Sequence, residues 1–237
     1  MRQNFELKES LVPVKRAWNI LRGRDTWQSV QLQCRQIHLG SEHARWCVCP
    51  TQLTPQSIVY SFGVGEEISF DLEVICQFGV CVHAFDPTPR SIQWVRTQAV
   101  PAEFVFHEYG VADFDGICQF TPPENPGYVS HSMIRKNDSR RAIQAPVHRL
   151  ATIIQELGHD HIDVLKMDIE GAEYGVIADL LSCNIRVDQL LVEFHHRWPE
   201  VGVQKTKQAI RELNRAGYRI FYISPTGEEY SFNMPDR

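Results

Sequence analysis

Short apolar segments alternate with stretches of helical periodicity from residue 57 onward. Strands are predicted at residues 57–62, 80–85, 104–107, 162–167 and 189–194, with helices after most of them. This alternation is typical of βαβ units, because a helix has to cross the sheet before the next strand can run parallel. The pattern therefore predicts an α/β fold with a doubly wound sheet.

The C-terminal part departs from that alternation. A helix is predicted near residues 204–215, followed by a strand at 219–223, a Pro-Thr-Gly turn at 225–227 and a last strand at 229–232. A turn this short can only return the chain antiparallel to itself. We therefore expect an antiparallel hairpin at the end of an otherwise parallel sheet.

The first 56 residues are predicted to form an extension made of a helix and a β-hairpin. Apolar residues recur at helical spacing over residues 4–22, and two strand-like segments at 30–39 and 45–49 flank a polar turn at 40–43. We divide the chain into this extension (1–56) and a larger domain (57–237). The extension is interpreted as an element for substrate selection or for homodimer formation.

A second irregular segment interrupts the larger domain between residues 114 and 145. It contains three prolines and a polar run at residues 135–141. Loops of this length inside a compact domain are typically functional lids. We expect this segment to cover a site at the edge of the sheet.

Composition and charge narrow the class of protein. The 237 residues are 43% hydrophobic, which suffices for one globular domain, and the seven cysteines show no CxxC pair or zinc spacing, so they are expected to be reduced. The net charge of −5 comes without a basic cluster, which disfavours nucleic acid. Apolar runs are far shorter than the roughly 18 residues of a membrane span. Charged residues interrupt the apolar positions of the first twenty residues, so the uninterrupted hydrophobic core of a secretory signal is missing. A cytoplasmic location is expected.

A pair of glycines lies where the first strand of the larger domain meets the following helix. The run from Ser61 to Glu67 contains Gly63 and Gly65, and glycines at such a turn let the backbone approach a ligand without a Cβ in the way. The next strand ends in Asp86, whose two carboxylate oxygens match the two hydroxyls of a ribose. A ligand-free tight turn would use the same glycines, but the turn and the acid together favour adenosine binding.

The rest of that turn indicates which cofactor carries the adenosine. The third glycine of the dinucleotide fingerprint is missing, and Glu66 and Glu67 stand where the helix begins. Helix N-termini attract anions, so these carboxylates would repel a pyrophosphate. S-adenosylmethionine, which carries a sulfonium and an amino group but no phosphate, fits the turn better than a nicotinamide dinucleotide.

Acidic side chains and a histidine follow the fourth and fifth predicted strands. Asp168, Glu170 and Glu173 come directly after the fourth strand, and Glu193 and His195 alternate at the end of the fifth. Because ligands collect beyond the carboxyl ends of parallel strands, these groups are expected to face one cleft. The alternatives are a helix capped by Asp168, with the two glutamates in its first turn, and a solvated strand end.

Three segments together resemble the FkbM-type family of S-adenosylmethionine-dependent methyltransferases. They are DVLKMDIEGAE (163–173), HAFDPTP (83–89) and LVEFH (191–195), and the resemblance extends over residues 57–223. It implies the Rossmann-like, seven-stranded class I methyltransferase sheet with its antiparallel terminal hairpin, and S-adenosylmethionine as the cofactor. The family's first motif begins with an acid where this chain has Ser61. An inactive, methyltransferase-like binding module is therefore one alternative, and a nicotinamide-dependent oxidoreductase is another.

The expected cofactor site spans the ends of the first strands of the domain. Gly63 and Gly65 are predicted beneath the methionine portion, and Asp86 is predicted to hold the ribose hydroxyls. Glu66 or Asp168 is predicted to bind the amino group. The adenine is expected to be bordered by three consecutive residues after the third strand, namely Tyr109, Gly110 and Val111.

The predicted reaction is methyl transfer to an oxygen of a small metabolite or sugar-containing acceptor. The sulfonium is already activated, so the enzyme mainly aligns the acceptor and removes its proton. His195 is predicted as the general base, because an ordinary imidazole has a pKa of about 6.5 and can accept a proton near neutral pH. Asp168 and Glu193 complete the cluster, and His131 is the next candidate. The less favoured alternative is a divalent metal held by Asp168, Glu193 and Glu170.

Overall fold

The computed structural model describes residues 2–42, 44–120 and 142–235. In chain order its helices are α1 (Arg2–Leu21), α2 (Ser69–Phe78), α3 (Pro89–Val95), α4 (Leu150–Leu157), α5 (Glu173–Ser182) and α6 (Val203–Ala216). Its strands are β1 (Ile37–Leu39), β2 (Trp46–Val48), β3 (Ile58–Phe62), β4 (Cys81–Phe85), β5 (Phe104–His107), β6 (Gly110–Val111), β7 (Gly116–Phe120), β8 (Ile143–His148), β9 (Ile162–Met167), β10 (Val187–Glu193), β11 (Arg219–Ile223) and β12 (Glu229–Asn233).

A seven-stranded sheet in the order β11-β12-β10-β9-β3-β4-β5 forms the centre of the molecule. Strands β5, β4, β3, β9 and β10 run parallel, whereas β12 is antiparallel to both of its neighbours. The predicted α/β fold with a mostly parallel sheet is therefore confirmed. The C-terminal strands pair antiparallel, as the short turn between them requires.

Both faces of the sheet are buried, which explains why its strands read as continuous apolar runs. Alternate residues contribute to two separate hydrophobic clusters. Tyr60 and Leu165 pack with α4, α5 and α6 on one face, and Val59 and Val164 pack with α2 and the β1–β2 pair on the other. Because β3, β4 and β9 are neighbouring parallel strands, their carboxyl ends meet at one edge of the sheet.

The N-terminal segments differ in part from the prediction. Strands β1 and β2 pair antiparallel, but only the last three residues of the segment predicted at 30–39 form a strand. The preceding backbone instead donates hydrogen bonds from Gln31 and Leu32 to Ile220 O, so it runs beside the sheet without joining a ladder. Trp46 of β2 is buried in the same core as the sheet. The boundary at residue 56 stays a prediction.

Three short strands, β6, β8 and β7, form a separate small sheet next to the main one. Strands β7 and β8 lie at the two ends of the segment predicted as a lid. Its central residues, 121–141, including His131, lie outside the described residues, so the lid stays a prediction. None of the helices in the described part of the chain combines the length and the apolarity needed to cross a bilayer.

Candidate active site

A cavity of about 350 Å³ opens beyond the carboxyl ends of β3, β4 and β9. Seven of the eight residues predicted to bind the cofactor line it: Gly63, Gly65, Glu66, Asp86, Gly110, Val111 and Asp168. Tyr109 does not. Its ring packs between Phe85, at 5.5 Å between ring centroids, and His148, at 4.9 Å. Tyr109 therefore supports the cavity wall from behind.

The glycine turn between β3 and α2 has the left-handed backbone that its sequence suggests. Gly63 has φ of +82° and Gly65 has φ of +59°. A Cβ built on Gly63 would lie 1.7 Å from Asp168 O, because the ends of β3 and β9 approach each other at this point. Only glycine fits there, both for its φ and for the space available.

Asp86 is buried, and its carboxylate organises the turns on both sides of it. Oδ2 accepts a hydrogen bond from Gly65 N at 2.9 Å. Oδ1 accepts from Thr88 N at 2.9 Å and from Thr88 Oγ1 at 2.6 Å. A carboxylate offers about four acceptor sites, so these bonds leave about one site for a hydroxyl of a ligand.

The two acids considered for the amino group of the cofactor differ in their partners. Glu66 forms a two-pronged ion pair with Arg90, with both N···O distances at 2.9 Å, and this pairing lowers the pKa of Glu66. Among the described residues, Asp168 has no comparable two-pronged ion pair. His195 Nε2 lies 3.8 Å from its Oδ1. Asp168 is therefore the acid more available to a ligand.

A second, smaller cavity of about 100 Å³ adjoins the first. The two share Gly63 and Asp168 in their walls, and Glu193 lines only the smaller one. The two cavities also share Ala44, Val64 and Glu67, and the smaller one is lined in addition by Arg45, Trp46, Lys166 and Glu229. Asp168 thus lies between the two spaces.

His195 lines neither of the two cavities, and only 7% of its surface is exposed. Its Nδ1 is 3.0 Å from Glu173 Oε1, and its Nε2 is 3.3 Å from Glu170 Oε2. Burial disfavours the imidazolium, but Glu173, Glu170 and Asp168 outweigh that effect and raise the pKa of His195 to about 12. The ordinary imidazole pKa assumed from the sequence is therefore wrong for this environment.

Glu173 is the residue whose role the sequence did not reveal. It is completely buried, and its Oε1 also accepts hydrogen bonds from Ile169 N and Gly171 N, both at 3.1 Å. Helix α5 begins at Glu173 after Ala172, so Asp168 does not cap it. Glu170, in the same turn, has φ of +55°, a costly conformation for a side chain other than glycine.

Two of the four carboxyls that line the smaller cavity, those of Asp168 and Glu193, have different pKa values. Burial raises the pKa of Asp168 to about 6, and Lys166 opposes that rise. Burial and the charge of Asp168 raise the pKa of Glu193 to about 9. The surroundings therefore favour the ionised form more at Asp168 than at Glu193.

Comparison with known proteins shows the family to which the chain belongs. The profile of the methyltransferase FkbM domain matches residues 32–220. The chain belongs to the FkbM methyltransferase family. The matched region of this methyltransferase-family chain includes β1 and β2, the five parallel strands of the main sheet and the residues that line the larger cavity, and it ends at the start of β11.

Two curated relatives of this FkbM-family chain carry the name probable methyltransferase-like protein 24. The human protein is 26% identical over 231 residues, which cover 87% of this chain and 56% of the relative. The rat protein is 29% identical over 180 residues, which cover 71% of this chain and 43% of the relative. The chain thus spans about half the length of these relatives. No solved structure matches it.

Three side chains in this FkbM-family site have the arrangement of a possible metal centre. Asp168, Glu193 and His195 each offer a ligand atom, and these atoms lie within 4.8 Å of one another. Two carboxylates and an imidazole suit a divalent cation, and the carboxylate of Glu173 on Nδ1 is the usual orienting partner of a metal-bound histidine. Binding would require His195 to lose a proton.

Proposed function

We propose that this chain binds S-adenosylmethionine in the larger cavity and transfers its methyl group to an oxygen of a small metabolite or sugar-containing acceptor. The charge of that cavity is the observation that carries the proposal. Five carboxylates line it, and no basic side chain is among the described residues in its wall. A pyrophosphate would find no cationic partner there, whereas a sulfonium and an amino group are both favoured.

The cofactor is oriented by residues of the larger cavity. Gly63 and Gly65 lie beneath the methionine portion, and Asp86 receives a ribose hydroxyl at its remaining acceptor site. The adenine is placed against Gly110 and Val111, which line the same cavity. When bound, S-adenosylmethionine supplies an activated methyl group on its sulfonium.

Asp168 is placed to accept the proton of the acceptor hydroxyl. It lines both cavities, so an acceptor oxygen in the smaller one can contact Asp168 while facing the methyl group. We assign His195 a different role from the one predicted, because an imidazolium has no lone pair with which to accept a proton. Its charge instead holds Asp168 and Glu170 in place. Glu193, protonated, donates a hydrogen bond to the acceptor.

Calorimetric titration of the protein with S-adenosylhomocysteine and, separately, with NAD⁺ tests the cofactor. Binding of S-adenosylhomocysteine without binding of NAD⁺ is the expected result. NAD⁺ binding alone would instead support an oxidoreductase. If neither ligand binds, the chain is the non-catalytic module that the exchange at Ser61 left open.

The metal alternative is supported by the ligand distances among Asp168, Glu193 and His195. Transfer of labelled methyl groups to a panel of small hydroxylated acceptors, with and without EDTA, separates the two mechanisms. We expect turnover that survives EDTA and is lost in Asp168→Asn. Loss of turnover with EDTA and its recovery with Mg²⁺ would replace proton acceptance by Asp168 with metal activation of the acceptor.

The N-terminal extension is proposed as a contact between two copies of the chain. Helix α1 exposes apolar side chains, with Trp18 54% exposed and Leu21 81% exposed. Apolar groups exposed together on one helix are typical of interaction surfaces. Sedimentation of the wild type and of Trp18→Glu/Leu21→Glu tests this, and a wild type that stays monomeric at all concentrations would contradict it.

A further inference from the structure

A buried aspartate of the N-terminal extension contacts the segment that follows β10. Asp25 comes four residues after the end of α1, and none of its side-chain surface is exposed. It lies outside the residues that the family profile matches, 32–220. A carboxylate is stable in such a place only when hydrogen-bond donors or cations satisfy its oxygens. The partners of Asp25 therefore show which part of the protein it holds.

Both oxygens of Asp25 accept hydrogen bonds, and two of the donors follow His195 directly in the chain. Oδ1 accepts from Thr26 N at 2.7 Å, and His196 Nε2 lies 3.1 Å from the same oxygen. Oδ2 accepts from an N–H of Arg197 at 2.6 Å. The Nδ1 atom of His196 has no hydrogen-bond partner among the described residues, so the contact with Asp25 fixes its ring. The two residues after His195 are thus tied to the N-terminal extension.

The guanidinium of Arg197 extends this network to the turn between β11 and β12. Its Nη1 lies 2.5 Å from Glu228 Oε2, and its Nη2 donates to Thr226 O. Arg16 of α1 contacts the same turn and donates to Ser224 O at 3.2 Å. The N-terminal extension therefore holds two elements that are distant from it in sequence, the segment after β10 and the turn before β12.

Both of these elements contribute to the smaller cavity, in which the acceptor is proposed to bind. Glu193 ends β10 and Glu229 begins β12; the two are register partners in the sheet, and both line that cavity. His195 lies between Glu193 and the anchored residues, with its Nε2 3.8 Å from Asp168 Oδ1. No described residue of these two elements lines the larger cavity. The contacts of Asp25 therefore bear on the acceptor side of the site, whereas β3, β4 and β9 carry the cofactor side.

We infer that Asp25, acting through His196 and Arg197, holds the end of β10 and the start of β12 in the positions that acceptor binding requires. Asp25 is a positioning residue, since it lines neither cavity. This inference rests on the proposed function, which places the acceptor in the smaller cavity. It gives the N-terminal extension a role within the catalytic unit, in addition to the proposed contact between two copies of the chain.

Asp25→Asn keeps the size of the side chain but cannot keep all of its contacts. Its NH2 group must face either Arg197 or the pair formed by Thr26 N and His196, and all of these groups are donors. We expect methyl transfer at saturating S-adenosylmethionine to slow about tenfold or more, because a small misplacement of the acceptor is enough for such a loss. The Kd of S-adenosylhomocysteine should stay within about twofold of the wild type, because other elements line the larger cavity.

Asp188→Asn is the matched control for both measurements. Asp188 also pairs with an arginine, Arg186 at 2.9 Å, but at the opposite end of β10, so its rate and Kd should both stay within about twofold of the wild type. Asp25→Asn combined with Arg197→Met should be no slower than the slower single variant, which is the non-additivity of a coupled pair. An Asp25→Asn protein that is less stable but transfers methyl groups at the wild-type rate would overturn the inference. A loss of rate accompanied by an equal rise in Kd would also overturn it.

The imidazole signals in the NMR spectrum of the full chain report the position of His195 without any ligand. The signal of His195 is assigned by its absence in His195→Gln. At constant pH it should shift in Asp25→Asn and stay in place in Asp188→Asn, while the backbone amide signals of Gly63 and Gly65 stay in place in both variants. A His195 signal that does not move in Asp25→Asn would contradict the inference.

The remaining outcomes are also decisive. If Asp25→Asn does not fold, Arg197→Lys takes its place, because a single ammonium keeps the charge but cannot bridge Asp25 and Glu228 as the guanidinium does. Slower transfer with an unchanged Kd then supports the inference, and transfer at the wild-type rate contradicts it. If the wild type does not bind S-adenosylhomocysteine, the proposed function fails, and the NMR comparison in Asp25→Asn or Arg197→Lys decides the inference alone. The same comparison decides if the wild type binds the cofactor but methylates none of the acceptors in the panel.

Discussion

Replacing Asp86 provides the sharpest test of the cofactor site, because the structure separates two roles of its carboxylate. Three of its acceptor sites are used by Gly65 N and by the amide and hydroxyl of Thr88. Their loss in Asp86→Ala affects the fold. Only the remaining site adds to ligand affinity, and one hydrogen bond to a charged group contributes about 1.5 to 3 kcal/mol. That free energy corresponds to a rise in Kd of about tenfold to a hundredfold.

The assay is calorimetric titration with S-adenosylhomocysteine, combined with the unfolding midpoint of each variant. Asp86→Asn keeps the volume and one acceptor oxygen, so it should lose affinity while losing less stability than Asp86→Ala. Thr88→Val is the control. It removes a hydrogen bond to Oδ1 without touching the carboxylate, so the affinity should be unchanged or slightly higher. A folded Asp86→Ala protein with an unchanged Kd would refute the placement of the ribose.

Three further predictions concern the fold around the site. Gly63→Ala should abolish cofactor binding, because the added Cβ would collide with the Asp168 carbonyl. Gly158 has a similar positive φ but open space around it, so Gly158→Ala should lower the free energy of urea unfolding by only about 1 to 2 kcal/mol. Burial, with His107 and His159, lowers the pKa of His83 to about 4, so its neutral form stabilises the fold above pH 6.5 and that stability is lost as the pH falls. Urea unfolding at pH 5 should show a loss of about 2 kcal/mol that His83→Phe removes. Glu173→Gln should lower the free energy of unfolding by about 3 kcal/mol, since it leaves the buried imidazolium of His195 without its main partner.

The parts of the fold that follow from local sequence were predictable. The strands of the main sheet are short apolar runs separated by helical periodicity, and the C-terminal hairpin follows from its turn. The segment at 30–39 was misjudged because its apolar residues pack beside the sheet edge, and alternation alone does not show whether a strand has a hydrogen-bonding partner. The glycine turn was predictable because its residues are contiguous.

The electrostatics of the site were not predictable in the same way. The positions of His195 and Asp168 at strand ends followed from the pattern, but the pKa of His195 depends on Glu173, which reaches it from the start of α5. These groups are brought together by tertiary packing, for which the sequence offers no spacing rule.

Two cations on opposite faces of the sheet explain why neighbouring carboxyls at its edge differ. Lys166 approaches Asp168 from the side of α2, and His195 approaches it from the side of α5, so both oppose the effect of burial on Asp168. Burial and the charge of Asp168 raise the pKa of Glu193 further. Pairs of acids whose surroundings push their pKa values apart are the usual basis of a division between proton acceptor and proton donor. Lys166, which also donates hydrogen bonds to Phe62 O and Gly63 O in the glycine turn, and His195 thus support the proposal that Asp168, rather than Glu193, takes the proton of the acceptor.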